Sequence, residues 1–260
     1  MGGIFQDGMS AVEEEQDPDF AAQSLPSSLK LMEVLLKSEP GNRKLLLLLA
    51  EGYSSYALGF VEDTDPERAK IFYQRATEYA LRLVRQDRAL ATALDGPLEE
   101  FQAELARRGR ADVPGIFWAA FSTGGYLNLA FDKPDALAQL PRVEAMMKFV
   151  AAADPAFFHG GADMFLGTLY GGRARILGGD PERSRRHFES ALRINGGAFL
   201  MTQVFFARSY AVQTQNEQLF NELLTKVESA SLDILPEFRL ANAFAKQKAR
   251  RLLSNQSELF

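Results

Sequence analysis

Residues 154–191 read DPAFFHGGADMFLGTLYGGRARILGGDPERSRRHFESA, and they repeat an earlier stretch of the same chain without a gap. Asp180-Pro181-Glu182-Arg183 returns Asp65-Pro66-Glu67-Arg68 at an offset of 115 residues, which also carries Pro155 to Pro40, Gly167 to Gly52 and Ala191 to Ala76. Self-similarity at a fixed offset marks a repeat architecture. Each copy is punctuated like a helical hairpin. Pro suits the first turn of a helix, where its missing N–H had no partner, and the acid before it accepts from orphan N–H groups or favours the positive helix end. Two such starts lie 26 residues apart in each copy, at Pro40 and Pro66 and at Pro155 and Pro181, leaving room for one long helix and a turn.

Inside the hairpin, Leu166-Gly167-x-x-Tyr170 and Ser184-x-x-x-Phe188-x-x-Ala191 resemble the tetratricopeptide (TPR) pattern L-G-x-x-Y and A-x-x-x-F-x-x-A. The first copy offers Ala69-x-x-x-Tyr73-x-x-Ala76. Small residues let two helices approach and aromatic ones fill the gap. Each unit exceeds the usual ~34 residues, so the pattern reads as a TPR variant with an extended first helix. Val143, Met146, Met147 and Val150 mark a helix that corresponds, at the same offset, to the one around Leu31-Met32, so the duplication includes the helix before each hairpin.

Working outward, residues 1–18 are polar and acidic and read as a mobile leader, followed by a single all-α domain, 19–260. Its hairpin units fall at about 27–90, 141–195 and 197–230, with a closing helix at about 236–253 acting as a solenoid cap. A first helix is expected from a cap at Ser27 or Ser28 to Glu39-Pro40, then a long helix over residues 41–62 and a partner from Pro66 to about Arg85. Gly96-Pro97 opens a charged helix, Leu98 to Arg108. The stretch GIFWAAFSTGGYLNLAFD reads as an aromatic helix interrupted by Gly124-Gly125, and Lys133-Pro134 and Leu140-Pro141 break the chain. The third hairpin runs from about Ala198 to Gln213 and from Glu217 to Ala230.

A chain of 260 residues, 47% hydrophobic, can bury a substantial core. Its most apolar run, Leu45 to Ala50, is far too short to span a bilayer. The net charge of −5 argues against a nucleic-acid surface. Basic clusters such as Arg107-Arg108 and Arg250-Arg251 are spaced like solvated helix faces. Cysteine is absent, which excludes thiol catalysis, cysteine metal sites and disulfides. His159 and His187 are the two histidines, neither in H-E-x-x-H, and no P-loop, G-x-G-x-x-G or G-x-S-x-G occurs. Neither an enzyme nor a cofactor is expected.

The segments LPRVEAMMKFVAAADP, LGGDPERSRRHFESAL, FARSYAVQTQNEQLFNELL and LPEFRLANAFAKQKARRLL, in that order, resemble the TatT family of TPR-containing lipoproteins associated with TRAP transporters. The resemblance runs from about Asp17 to Ser254. It implies a periplasmic protein, anchored by an N-terminal lipid, that works with the substrate-binding P subunit of a TRAP transporter. It also implies TPR-like hairpins around a cleft, and trimeric assembly. The lipobox cysteine of the family is not in this sequence.

Trp118, Phe121 and Tyr126 read one by one as core, and as a group as the wall of an apolar ligand site. Phe158-His159-Gly160-Gly161, with Tyr170, Arg173 and Arg175, forms a second candidate, in which an arginine fork would pair with a carboxylate or with neighbouring acids. The glycines at 160, 161, 167, 171 and 172 weaken a helix unless close packing or ligand approach offsets the loss. Two functions therefore stand side by side. One is an accessory subunit of solute import that binds the P subunit and holds a small apolar organic acid or lipid-like ligand. The other is a cell-envelope TPR scaffold that binds a peptide or protein and no small molecule.

Overall fold

The computed structural model describes residues 2–130, 133, 137–173 and 175–260, and over these the protein is all-α, with no strand. Its contacts divide it into two compact units where the sequence reads as one domain: Asp19–Asp154 with the residues through Met9, and Pro155–Phe260 with Ser10–Pro18.

Helix α1 covers Gly2–Glu13, so the expected leader is helical, and Met9 is buried against Gly52. Helix α2, Pro18–Ser38, runs through Pro26 and starts earlier than a cap at Ser27 or Ser28 would allow. Both serines lie inside the helix, and the Ser28 hydroxyl donates to Ser24 O one turn back. Helix α3, Arg43–Tyr56, begins after Pro40 because Asn42 Oδ1 accepts from Leu45 N at 3.0 Å. It widens into a π-helical turn, Ala57–Val61, closed by Glu62 N donating to Ala57 O at 2.8 Å. Helix α4, Pro66–Val84, starts where the sequence places it, with Asp65 Oδ1 accepting from Arg68 N at 3.0 Å.

Helix α5, Arg88–Asp95, has no counterpart in the sequence reading; Asp87 caps it. Helices α6 (Leu98–Leu105), α7 (Val113–Asn128) and α8 (Leu140–Ala153) complete this unit. α4 packs against both α3 and α7, and α8 against α6 and α7. α7 continues through Gly124-Gly125 instead of breaking there, because Gly125 leaves the space that the Tyr73 ring occupies. The break expected at Pro134 lies outside the described residues. Pro141 sits in the first turn of α8, where proline is tolerated.

In the second unit Pro155 does not open a helix either. Phe158 (φ 47°), His159 (φ 56°) and Gly160 (φ 80°) form three successive left-handed residues, and helix α9, Gly161–Gly171, starts only after them. Helix α10, Pro181–Asn195, is capped by Asp180 Oδ1 accepting from Arg183 N at 3.0 Å. The duplicated Asp-Pro-Glu-Arg is thus a duplicated helix cap. Between α9 and α10 the close approach comes from Gly167, which faces the Phe188 ring, and from Ser184, whose hydroxyl donates to Gly167 O at 2.7 Å. Helix α11, Met201–Phe205, passes into a second π-helical turn, Phe206–Ala211, followed by α12 (Glu217–Ser229), α13 (Arg239–Ser254) and α14 (Gln256–Leu259). Among the described residues no helix is long and apolar enough to cross a membrane.

Candidate functional site

In the first unit α4 carries Arg68, Phe72, Arg75, Tyr79 and Arg82 at intervals of four, three, four and three residues. That spacing puts all five on one face of a helix. The same face meets Tyr53 of α3, whose ring lies nearly parallel to Phe72 (6.0 Å, 13°) and to Tyr79 (6.0 Å, 14°). Tyr56 meets Phe72 edge-on at 5.0 Å. Each arginine stands over a ring: Arg68 over Phe72 at 5.4 Å, Arg75 over Tyr53 at 5.1 Å and Arg82 over Tyr79 at 5.6 Å.

A single carboxylate from α2 ties this wall together. Glu33 Oε1 accepts from Tyr53 Oη at 2.7 Å and from Tyr79 Oη at 2.9 Å, and Lys30 Nζ reaches Oε2 at 2.5 Å. Arg75 donates to Tyr53 Oη at 3.3 Å. Burial alone would raise the Glu33 carboxyl, but the donors Lys30, Tyr53 and Tyr79 outweigh it and hold it below the usual value. Burial and the Glu33 hydrogen bond push the Tyr53 phenol up to about 12. Tyr79 is raised for the same two reasons. These phenols stay protonated donors, so the cluster is a fixed polar seam with no proton to exchange near neutrality.

The seven residues nominated from the sequence fall in both units. Trp118 is 2% exposed on α7 and packs on Phe117 (5.0 Å) and Phe121 (5.4 Å). Tyr126 lies farther along, against the cluster of Ala57, Val61, Ala69 and Tyr73. In the second unit Tyr170 is buried, stacked on His187 at 5.6 Å with the Arg183 guanidinium 3.9 Å over its ring. His187 Nδ1 shares a 2.7 Å hydrogen bond with Asp163. Arg173 Nε donates to Leu169 O at 2.9 Å at the end of α9, while Arg175 is exposed.

His159 belongs to a separate aromatic box, 5.2 Å from Phe199 and 4.5 Å from Phe238, with Phe158 touching the same two rings. Asn195 Nδ2 holds its carbonyl at 3.0 Å. Two left-handed non-glycine residues in a row store backbone strain, which the box offsets. Burial lowers the imidazole below its ordinary 6.5, partly opposed by Glu237. The folded protein therefore takes up this proton at lower pH than the unfolded chain does. Stability is complete above about pH 6.5 and falls as the pH drops from there toward the lower folded value. Thermal melts are expected to move down between about pH 7.5 and about pH 5.5, and to move less in His159→Phe. Equal shifts in both proteins would remove His159 from the account.

A groove of about 460 Å³ opens within the first unit, lined by Gln102, Leu105, Ala106 and Arg108 around α6 and by Ala145, Lys148, Phe149, Ala152 and Ala153 of α8. None of the seven nominated residues lines it. The α4 face and this groove were both missed from sequence. The spacing from Arg68 to Arg82 was visible, but Ala69-Tyr73-Ala76 on the neighbouring face carried the repeat signal.

Among known proteins, the family described as "TAtT: TRAP transporter T-component" matches residues 14–260. A protein of Treponema pallidum (strain Nichols), described as an uncharacterized protein, is 26% identical over 267 aligned positions. These cover 95% of this chain and 81% of that protein.

Proposed function

The chain belongs to the TRAP transporter T-component family, and from that membership we propose that it is an accessory subunit of a TRAP-type solute importer that binds the importer's substrate-binding P subunit. The observation that carries this is the extent of the match, residues 14–260, which takes in the duplicated hairpins and the closing helices alike. In this reading the protein works in the periplasm, held to the membrane by a lipid at the N-terminus of its precursor. Its hairpins act as TPR-like repeats closed by α13, and three copies assemble.

The ligand carried alongside the P subunit is a small apolar organic acid or a lipid-like molecule. The groove between α6 and α8 suits it best within the first unit, for two reasons. Its volume of about 460 Å³ is of the size that small-molecule sites use. Leu105, Ala145, Phe149 and Ala152 give it apolar lining, while Arg108, paired with Asp87 and Glu104, and Lys148, paired with Glu144 at 2.6 Å, would exchange one of these acids for the ligand's carboxylate. Titrating the P subunit of the same organism's TRAP system into the protein in a calorimeter is expected to show saturable binding. No heat and no complex across ionic strengths would contradict the proposal.

A further inference from the structure

The α4 face has a chemistry that its internal contacts do not use up. Glu33 satisfies Tyr53, Tyr79 and, at 3.9 Å, approaches Arg75. Arg68 and Arg82 are different: among the described residues neither has a carboxylate partner. Arg68 is exposed and rests only on the Phe72 ring. Arg82 lies over Tyr79 and gives one N–H to Pro40 O at 3.1 Å. Of the acids of α4, Glu67 pairs with Lys70 at 2.6 Å, and Glu78, exposed one turn before Arg82, forms no ion pair with it among the described residues. In a protein of net charge −5, this is a local line of positive charge on an aromatic support.

We propose that the Arg68–Phe72–Arg75–Tyr79–Arg82 face of α4 is the surface on which the P subunit docks, and that the P subunit meets it with an acidic segment. The inference rests on the P-subunit reading above and adds where and by what chemistry the two proteins meet. Three features carry it. A guanidinium lying over a ring is already oriented and partly stripped of water, so it loses less on pairing with a carboxylate than a free side chain does. Arginine is a residue type on which protein interfaces concentrate their binding energy, and here Tyr53 and Tyr79, 2% and 9% exposed, lie beneath the arginines as their support. Ile71, next to the stripe and 55% exposed, offers apolar surface to bury beside the charges. Tyr53 and Tyr79, held by Glu33, and Phe72, stacked on Tyr53, keep the support rigid, so the partner finds the cations already spaced along about four turns of helix.

The test measures the affinity of the P subunit for the protein and for Arg68→Glu, Arg82→Ala and the double variant, with Arg88→Glu on α5 as a control that matches Arg68→Glu in charge. Arg75 is left intact because it holds Tyr53 and approaches Glu33. Helical circular dichroism and melting temperature confirm that each variant is folded. The double variant is expected to lose affinity by about tenfold or more, with Arg88→Glu unchanged. Wild-type affinity should also fall as ionic strength rises from about 0.05 M to about 0.5 M. If the folded double variant binds as tightly as wild type, the α4 surface is wrong while the P-subunit function stands. If wild type itself binds no P subunit, both the surface and the function fall. If every variant, Arg88→Glu included, loses affinity equally, binding follows overall charge and the assignment to α4 is overturned.

Discussion

Phe188→Ala is expected to lower the unfolding free energy by about 3–5 kcal/mol. Phe188 is 0% exposed, stacks on Phe206 of the second π turn at 4.8 Å, and fills the space that Gly167 leaves open on the facing helix. A Cβ on Gly167 would stand 2.8 Å from its ring, so the ring lies against bare helix backbone, which cannot collapse into a cavity as side chains do. The hole would lie between α9 and α10, leaving the Ser184 hydroxyl bond to Gly167 O to hold the two helices at that level. Chemical denaturation monitored by circular dichroism checks this through the midpoint. A loss below about 1 kcal/mol would mean that the α9–α10 hairpin is not packed through Phe188.

Gly125→Ala tests the first unit with a sign opposite to helix propensity. Gly125 lies inside α7, where alanine normally stabilises by about 1 kcal/mol. Here the new Cβ would fall 2.4 Å from Tyr73 Cε1. Tyr73 is 1% exposed and its hydroxyl is anchored to the buried Glu62 at 2.5 Å, so the ring cannot withdraw without giving up a charged hydrogen bond. A net destabilisation of about 1–3 kcal/mol is expected. Gly52→Ala provides the comparison: its close contact would be with a side-chain end, Leu29 Cδ2 at 2.6 Å, with Met9 Cε next at 3.6 Å, and not with an anchored ring. If Gly125→Ala raises the melting temperature, the α4–α7 packing described above is wrong.

The features that could be read from sequence were the local ones. The duplicated caps at Asp65 and Asp180 were visible because a cap needs only a side-chain acceptor and the N–H three residues on. The arms of the third hairpin, read at about Ala198 to Gln213 and Glu217 to Ala230, correspond to the helical stretches Met201–Ala211 and Glu217–Ser229. What sequence did not reveal depends on neighbours distant along the chain. Phe158 and His159 adopt left-handed backbone because Phe199 and Phe238 close over them, from positions more than a helix away. Trp118 stood out as an aromatic beside glycines, yet α7 is apolar on nearly every face and packs on α3, α4 and α8, so Phe117 and Trp118 are enclosed while Phe121 and Tyr126 are half-buried. The α4 stripe shows the same limit from the other side. Its spacing lies in the sequence, but only the fold brings Tyr53 from α3 and Glu33 from α2 to support it.

The central claim is that this chain is a working partner of a TRAP P subunit, and native mass spectrometry of the two proteins, separately and mixed, tests it most directly. A new species at the summed mass of this protein, in whatever assembly it adopts alone, and the P subunit is the predicted result. Spectra of the mixture that contain only the two separate proteins, at low and at physiological ionic strength, would contradict it.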